Sequence, residues 1–324
     1  MKLAVVIVNY RTARHVLQGL EHTVPQVRAL GDAAIFVVDN CSPDDSVAVL
    51  RAGIEARGYG DCVRLIPSPV NGGFGAGNNV AFRASLASDD PAECFFLLNP
   101  DAWPDPGCLR ALLSFLDEHP AVGIAGGRMR DEQGTEQAST FRFPTPWSEL
   151  EGHLRLGVVT RLLREHVVAR AAPERSGPVD WVSGASMVIR RRVVEQVGMF
   201  DEGFFLYFEE VDLCRRAHDA DVPIWFVREA GVVHIGGVAT GESDKTRRVP
   251  EYWFASRARY LNKAFGAQQL LATNLVAASA FALHRARTLL GRNEQRTPHY
   301  LRDFVRFNFV RAPRRAPGGG AERG

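Results

Sequence analysis

The 324-residue chain is 46% hydrophobic and 23% charged, a globular composition with length enough for one large α/β domain and additions, and it argues against general disorder. Five scattered cysteines (Cys41, Cys62, Cys94, Cys108, Cys214), odd in number and without a CxxC pair, argue against a disulfide framework or zinc site and for reduced, mostly buried thiols in the cytosol. The net charge of +2 divides unevenly: from Ala267 onward ten Arg face Glu294, Asp303 and Glu322, a balance of +7 that leaves −5 for the body. A basic tail suited to an anionic surface thus joins a body left free to bind a metal.

Taken in chain order, the apolar run Leu3–Val8 reads as a buried first strand, too short for a signal sequence. Similar runs follow at Ala34–Val38, Val63–Ile66 and Phe95–Leu98, separated by helical periodicity over Arg11–Leu30, Pro43–Arg57 and Ala76–Leu86. Continuous apolar strands alternating with helices predict a parallel sheet covered on both faces, with ligands at the strand C-terminal edge. A helix at Asp105–His119 and a strand at Val122–Ala125 complete a first half, residues 1–127. Residues 128–265 form the second half: a loop-rich excursion over Arg128–Pro178, a strand at Trp181–Ile189, a helix at Arg191–Val197, a helix starting near Phe208 and a strand at Ile224–Val227. From Pro250 the pattern is helical; residues 266–311 read as a helical extension and 312–324 as a disordered Pro/Gly-rich tail. Leu270–Leu290 is interrupted by Asn274, His284, Arg285 and Arg287, and so predicts an interfacial amphipathic helix and not a span.

Polar residues end the four early strands, where they suit a polar ligand. Asp39, after Val37-Val38, is placed to accept from a ribose hydroxyl or pyrimidine N–H, with an amide from Asn9 and a stacking face from Tyr10; the same Asp39–Pro43 stretch also reads as an ordinary helix cap. In Asn71-Gly72-Gly73-Phe74-Gly75-Ala76-Gly77-Asn78-Asn79 no dinucleotide-binding register fits. There Gly73 and its neighbours let the backbone approach a nucleotide while Asn71 or Asn78 supplies an amide, or the run is a turn into the next helix. In Asn99-Pro100-Asp101, Asp101 is a candidate metal ligand, with turn capping as the alternative. Glu209-Glu210-Val211-Asp212 offers a base raised by burial and like charge, or a dipole-compensating first turn answered by Arg215 and Arg216. His234, before a glycine pair, is either a core histidine or a metal ligand beside Asp101, favouring Mn²⁺ over Mg²⁺.

As an ordered set, Val5–Tyr10, Val38–Asn40, Asn71–Gly75, Leu98–Asp101, Gly184-Ala185, Phe200–Glu202, Glu209–Leu213 and His234 resemble family 2 glycosyltransferases, in particular the rhamnosyltransferase-like branch. The resemblance covers roughly the first 265 residues. It implies a GT-A fold (residues 1–265 catalytic), a Mg²⁺ or Mn²⁺ cofactor, a nucleotide-sugar donor and inverting hexosyl transfer to a saccharide or lipid-linked saccharide in cell-envelope polysaccharide synthesis. By the same resemblance, Asp39 and the Asn71 loop hold the nucleoside, and Asp101 is the last acid of the family's Asp-x-Asp motif, with Asn99 replacing the first. The base is Glu210 or Glu209, the Trp181–Ala185 stretch with Gly184 and Asp212 lies on the acceptor side, and Arg257 comes near the diphosphate. Deoxythymidine diphosphate rhamnose is the favoured donor on resemblance alone, with UDP- or GDP-sugars open. A nucleotidyltransferase is disfavoured because Asn9-Tyr10-Arg11-Thr12 supplies no Gly-rich basic loop; a non-catalytic nucleotide- or saccharide-binding protein stays as the rival. The C-terminal segment, combining Leu270–Leu283 with arginines, suggests peripheral contact with the inner face of the plasma membrane or a homodimer interface, whereas nucleic acid is disfavoured for want of interleaved aromatic platforms.

Overall fold

A computed structural model describes residues 1–237, 247–289 and 299–310; the 312–324 tail lies outside the described residues. The chain begins with β1 (Leu3–Asn9), α1 (Ala13–Leu30), β2 (Ala33–Asp39), α2 (Ser46–Ala56), β3 (Val63–Pro67), α3 (Gly73–Leu86) and β4 (Cys94–Leu98). β5 (Ala102–Pro104), α4 (Cys108–Glu118) and β6 (Ile124–Arg130) follow, then the short strands β7 (Glu136–Gln137) and β8 (Thr140–Phe141). After α5 (Pro146–Leu154) and α6 (Gly157–Leu162) come β9 (Ala169–Arg170), β10 (Gly177–Pro178), β11 (Trp181–Val182), β12 (Ser186–Arg190), α7 (Arg191–Val197), α8 (Glu209–Asp219) and β13 (Ile224–His234). The last elements are α9 (Glu251–Leu289) and α10 (Tyr300–Val305).

The main sheet runs β10-β13-β6-β12-β4-β1-β2-β3, with β5 paired to β13 and β7 to β6. β1 pairs in parallel with both β2 and β4, and β2 with β3. β1 and β2 are buried almost throughout, which is why they read as unbroken apolar runs instead of alternating ones. Helix α1 supplies Val16, Leu17, Leu20, Val24 and Val27 to the core beside Val5, Ile7, Ile35 and Val37; their three- and four-residue spacing makes one apolar face.

The sheet is mostly parallel; β10, β5, β7 and β12 run antiparallel to their neighbours, and the reversal at β12 matters. β12 lies antiparallel between β4 and β6, while β13 runs parallel to β6. Hence β1, β2, β3, β4, β6 and β13 all point one way, and their C-terminal ends share an edge with the N-terminal end of β12. Asn9, Asp39, Asn99 and His234 therefore reach the same edge as Gly184-Ala185, which leads into β12.

The stretch read as one strand, Trp181–Ile189, is divided in two. A turn closed by Ser186 N–H to the Ser183 carbonyl (3.2 Å) separates β11 from β12. β11 leaves the main sheet for a small one with β8 and β9, where the Trp181 indole stacks on Phe141 at 4.1 Å. β13 also continues seven residues past the predicted Val227, through a register shift between Val227 and Gly231, and this extension is what carries His234 to the edge.

The chain's contacts divide it into two compact units. The first holds residues 1–143 and 168–237, the second residues 144–167 and the described residues from 247 on. In the second unit α5 packs on α9, and α9 bends at Gly266, whose φ of 82° is left-handed. The assignment of Arg257 to a diphosphate needs correction here. Arg257 is fully buried within the second unit, its Nε donating to Glu149 Oε2 (2.8 Å), its Nη2 2.6 Å from the same oxygen, its Nη1 donating to Asn274 Oδ1 (2.7 Å). A guanidinium enclosed in this way is a structural ion pair. Arg257→Met strands the Glu149 charge and is expected to lower unfolding stability by about 3–5 kcal/mol in a denaturant titration. Donor affinity of the folded variant should stay at the wild-type value; a selective loss of donor binding would restore the original role.

Candidate functional site

At the first strand ends, Asn9 and Asp39 are both buried and bonded to each other, Asn9 Nδ2 donating to Asp39 Oδ1 at 2.6 Å. Asn9 Oδ1 accepts from the backbone N–H and hydroxyl of Thr12, and the Ser42 N–H donates to Asp39 Oδ2. The Asn9 amide is thus engaged on both sides, bonding Asp39 through Nδ2 and Thr12 through Oδ1. Tyr10 lies half-buried beside it.

The glycine-rich loop is tied to this pair through Asn40, a residue the sequence reading passed over. Asn40 Nδ2 donates to Asn71 Oδ1 and to the Gly73 carbonyl, both at 2.9 Å, and Asn71 Oδ1 also accepts from Gly73 N–H. Gly73 has φ +88°, and a Cβ there would fall 1.6 Å from the Phe205 carbonyl oxygen. Only glycine meets both demands. Phe74 N–H donates to that same carbonyl (3.0 Å), docking the loop on the segment that leads into α8.

The start of α3 is a further correction. The Asn78 side chain is fully buried and Nδ2 bonds the Phe74 carbonyl one turn back in α3, because the helix begins at Gly73 and not at Ala76. The Asn78 Oδ1 is buried with no hydrogen-bond partner among the described residues. Its neighbour Asn79 is buried too, holding the Phe200 backbone by both amide groups and donating to Glu202.

Two successive left-handed residues, Tyr207 (φ 68°) and Phe208 (φ 69°), throw the chain into α8. For side chains with a Cβ this costs on the order of 1–2 kcal/mol each, a strain typical of positions held for function. Glu209 is buried, and a Cβ on Gly75 would lie 3.5 Å from its own. Burial first, then the Glu210 charge, pushes its carboxyl well above the ordinary range, and its Oε2 has no hydrogen-bond partner. Glu209 is therefore the neutral acid of the pair.

Glu210 is half-buried and faces the turn before β12: a Cβ on Gly184 would stand 3.6 Å from the Glu210 Cβ and 3.2 Å from the Phe74 ring. Asp212, assigned to the acceptor side, is instead buried against Arg216 (2.8 Å), which also bonds the carbonyls of Val197, Gly198 and Met199. Its carboxylate orients α8 on the end of α7. Trp181 likewise is buried, its Nε1 donating to the Arg142 carbonyl, so it walls the region from behind.

The pH response of stability follows from Glu209. In the unfolded chain this carboxyl ionises near 4.5, whereas in the fold it stays protonated to much higher pH. Between those values folding takes up a proton, so stability falls as pH rises. Glu209→Gln removes that dependence: the variant should melt above wild type at about pH 8 and alike at about pH 4. Parallel melting curves over that range would contradict the assignment.

On the other side of Gly184-Ala185, the Ala185 carbonyl accepts from Asn99 N–H (3.2 Å). Two residues on, buried Asp101 presents Oδ1 3.6 Å from His234 Nε2, and Asn99 Nδ2 lies 3.2 Å from the same nitrogen. His234 Nδ1 faces Gln137 Oε1 at 3.2 Å, while Gln137 Nε2 holds the His234 carbonyl. An imidazole that donates from Nδ1 to Gln137 keeps the Nε2 lone pair toward Asp101, the tautomer a metal ligand needs. Gln137 sits on a two-residue strand within a loop-rich stretch, and no sequence signal marked it.

This donor set fits a divalent cation: one carboxylate and one imidazole beside a carboxamide, the remaining positions left for ligand oxygens. Among the described residues no group of three His, Cys, Asp or Glu forms an all-protein cage. The structure thus brings Asp101, His234, Asn99, Ala185, Gly184 and Glu210 into one continuous run of contacts at the sheet edge. Asp39, Asn71 and Gly73 are joined to that run through the Phe74–Phe205 contact.

Residues 4–197 match the family model described as Glycosyl transferase family 2. The chain belongs to glycosyl transferase family 2. Within this family it is 33% identical over 193 residues to an N-acetylglucosaminyl-diphospho-decaprenol L-rhamnosyltransferase of Mycobacterium tuberculosis, covering 55% of this chain and 61% of that protein. It is 28% identical over 235 residues to a low-salt glycan biosynthesis hexosyltransferase of Haloferax volcanii, covering 72% and 66%. The chain thus spans less than two thirds of the length of the mycobacterial relative. Among solved structures, a mannosyltransferase from Pyrobaculum calidifontis in complex with GDP-Man and Mn²⁺ superposes with TM-score 0.56 at 15% identity, covering 90% of this chain and 76% of that one. S. aureus TarS in complex with UDP-GlcNAc gives 0.56 at 14%, covering 95% and 81%. The fold is GT-A, with a mostly parallel sheet between flanking helices and a helical C-terminal region.

Proposed function

We propose that this chain is an inverting glycosyltransferase whose donor lies along the sheet edge between Asp39 and His234, with Glu210 as the base. The observation that carries this reading is the Gly184-Ala185 turn, which meets Glu210 on one side and the Asn99–Asp101 segment on the other. Asp39 and the Asn71–Gly73 loop hold the nucleoside, and Asp101 and His234 hold a divalent cation. When bound, the cation neutralises charge on the departing nucleoside diphosphate.

Glu210 takes the proton from an acceptor hydroxyl as that oxygen forms its bond to the anomeric carbon and the bond to the diphosphate oxygen breaks from the opposite face. One displacement inverts the stereochemistry, and one base suffices. Neutral Glu209 behind it cannot accept the proton. It also adds no second negative charge beside Glu210.

The rhamnosyl-transferring relative favours a deoxythymidine diphosphate rhamnose donor, and its named decaprenol-linked substrate favours a lipid-linked saccharide acceptor. UDP- and GDP-hexoses are the alternatives. A panel of dTDP-, UDP- and GDP-sugars incubated with the chain and Mn²⁺ or Mg²⁺, read as nucleotide release with and without lipid-linked disaccharide, tests the reading. Release that needs the cation and accelerates with acceptor supports it. Saturable nucleotide-sugar binding without release under any pairing would make the chain a binding protein.

A further inference from the structure

Beyond Gly266, helix α9 buries several polar residues and exposes its leucines. Thr273, Asn274 and His284 are buried, whereas Leu271, Leu275 and Leu283 are 53%, 54% and 53% exposed and Val276 is 44% exposed. These residues, with exposed Ala272, Ser279 and Ala282, recur every three or four positions and so form one outward stripe. No charged residue occurs between Lys263 and Arg285. An ordinary surface helix shows the opposite arrangement.

The orientation is locked from within. Asn274 Oδ1 accepts from the buried Arg257 guanidinium and its Nδ2 donates to Asn308 Oδ1 (3.1 Å). Rolling the helix to hide its leucines would break both bonds and strand polar groups in the interior. Exposure of the stripe is therefore part of the fold.

Charge says what the stripe meets. At the end of the stripe, Arg285, Arg302 and Arg306 line a shallow cavity of about 440 Å³ together with Leu301, Val305 and Val310. The nearby Asp303 carboxylate is shared between Arg248 and, at 3.4 Å, Arg302, so one acid faces three arginines there besides Arg285. Apolar residues beside an arginine cluster match a bilayer surface carrying anionic headgroups. Among the described residues no helix is long and apolar enough to cross a membrane. Such a helix lies in the interface.

We propose that the Leu271–Leu283 stripe and the Arg285–Arg302–Arg306 cluster form a peripheral docking surface for an anionic phospholipid bilayer. This surface is separate from the transfer chemistry and stands or falls independently of it. The test is flotation of the full chain with phosphatidylcholine vesicles, with and without phosphatidylglycerol. Wild type should float with the anionic vesicles. Leu271→Glu/Leu275→Glu should lower the bound fraction at least about tenfold, and Arg302→Glu/Arg306→Glu should abolish the preference for phosphatidylglycerol. Circular dichroism checks folding; Leu271→Ser/Leu275→Ser, a milder change, should weaken flotation in the same direction. Nucleotide release in vesicle-free solution should be unchanged in the leucine variants, which separates this result from the catalytic one. Wild-type protein that stays unbound with both vesicle types overturns the proposal. So does a wild-type dimer, seen in sedimentation, that the leucine variants split without any vesicle binding in either form, since the stripe would then belong to a second copy of the chain.

Discussion

Glu210→Gln lowers turnover by about 10²-fold or more while donor affinity stays at its wild-type value. The change keeps the size and the half-buried setting of the side chain beside Gly184 and removes only the site that accepts a proton. Donor binding rests on other residues, so a titration of nucleotide sugar should superimpose on wild type. Near-normal turnover would reject Glu210 as the base.

Asp101→Ala is expected to cost about 100-fold or more in apparent Mn²⁺ affinity for the nucleotide-bound enzyme, read by titrating the cation into a nucleotide-release assay. Gln137→Ala, which only loosens the His234 ring, should cost less, about tenfold. The graded pair is informative because a simple packing defect at the sheet edge would act on stability, without the ordering of cation requirement. If both variants keep the wild-type cation dependence, the Asp101–His234 site is misassigned.

Much of this architecture is visible in the residues because β1, β2 and β4 are buried on both faces, so each reads as an uninterrupted apolar run whose polar terminus marks the edge, whereas the edge strand β3 exposes Arg64. Asp101 drew notice for that reason, following the Phe95–Leu98 run, and His234 because it follows Val232-Val233. What was not readable depends on where elements begin and on contacts across long sequence distances. Helix α3 starts at Gly73, three residues before the predicted Ala76, so Asn78 lies within the helix and bonds the Phe74 carbonyl one turn back. The run from Trp181 to Ile189 hid a turn because its apolar residues serve two different sheets. Arg257 on an exposed-looking helical pattern gave no sign that Glu149, 108 residues earlier, would enclose it. Asn40 and Gln137 matter through side-chain bonds to Asn71 and His234, and such pairings leave no trace in local spacing. The contact of Asp212 with Arg216 was legible as the alternative of a first turn answered by basic residues, since the two stand one helical turn apart.

The account rests on a shared edge for Asp101, His234 and Glu210, and anomalous diffraction from a crystal soaked with Mn²⁺ and a non-hydrolysable nucleotide sugar tests it most directly. A manganese peak within coordination distance of Asp101 and His234, with the anomeric carbon open on the face toward Glu210, is the predicted result. A manganese ion bound elsewhere, or a sugar whose anomeric carbon faces away from Glu210, would contradict it.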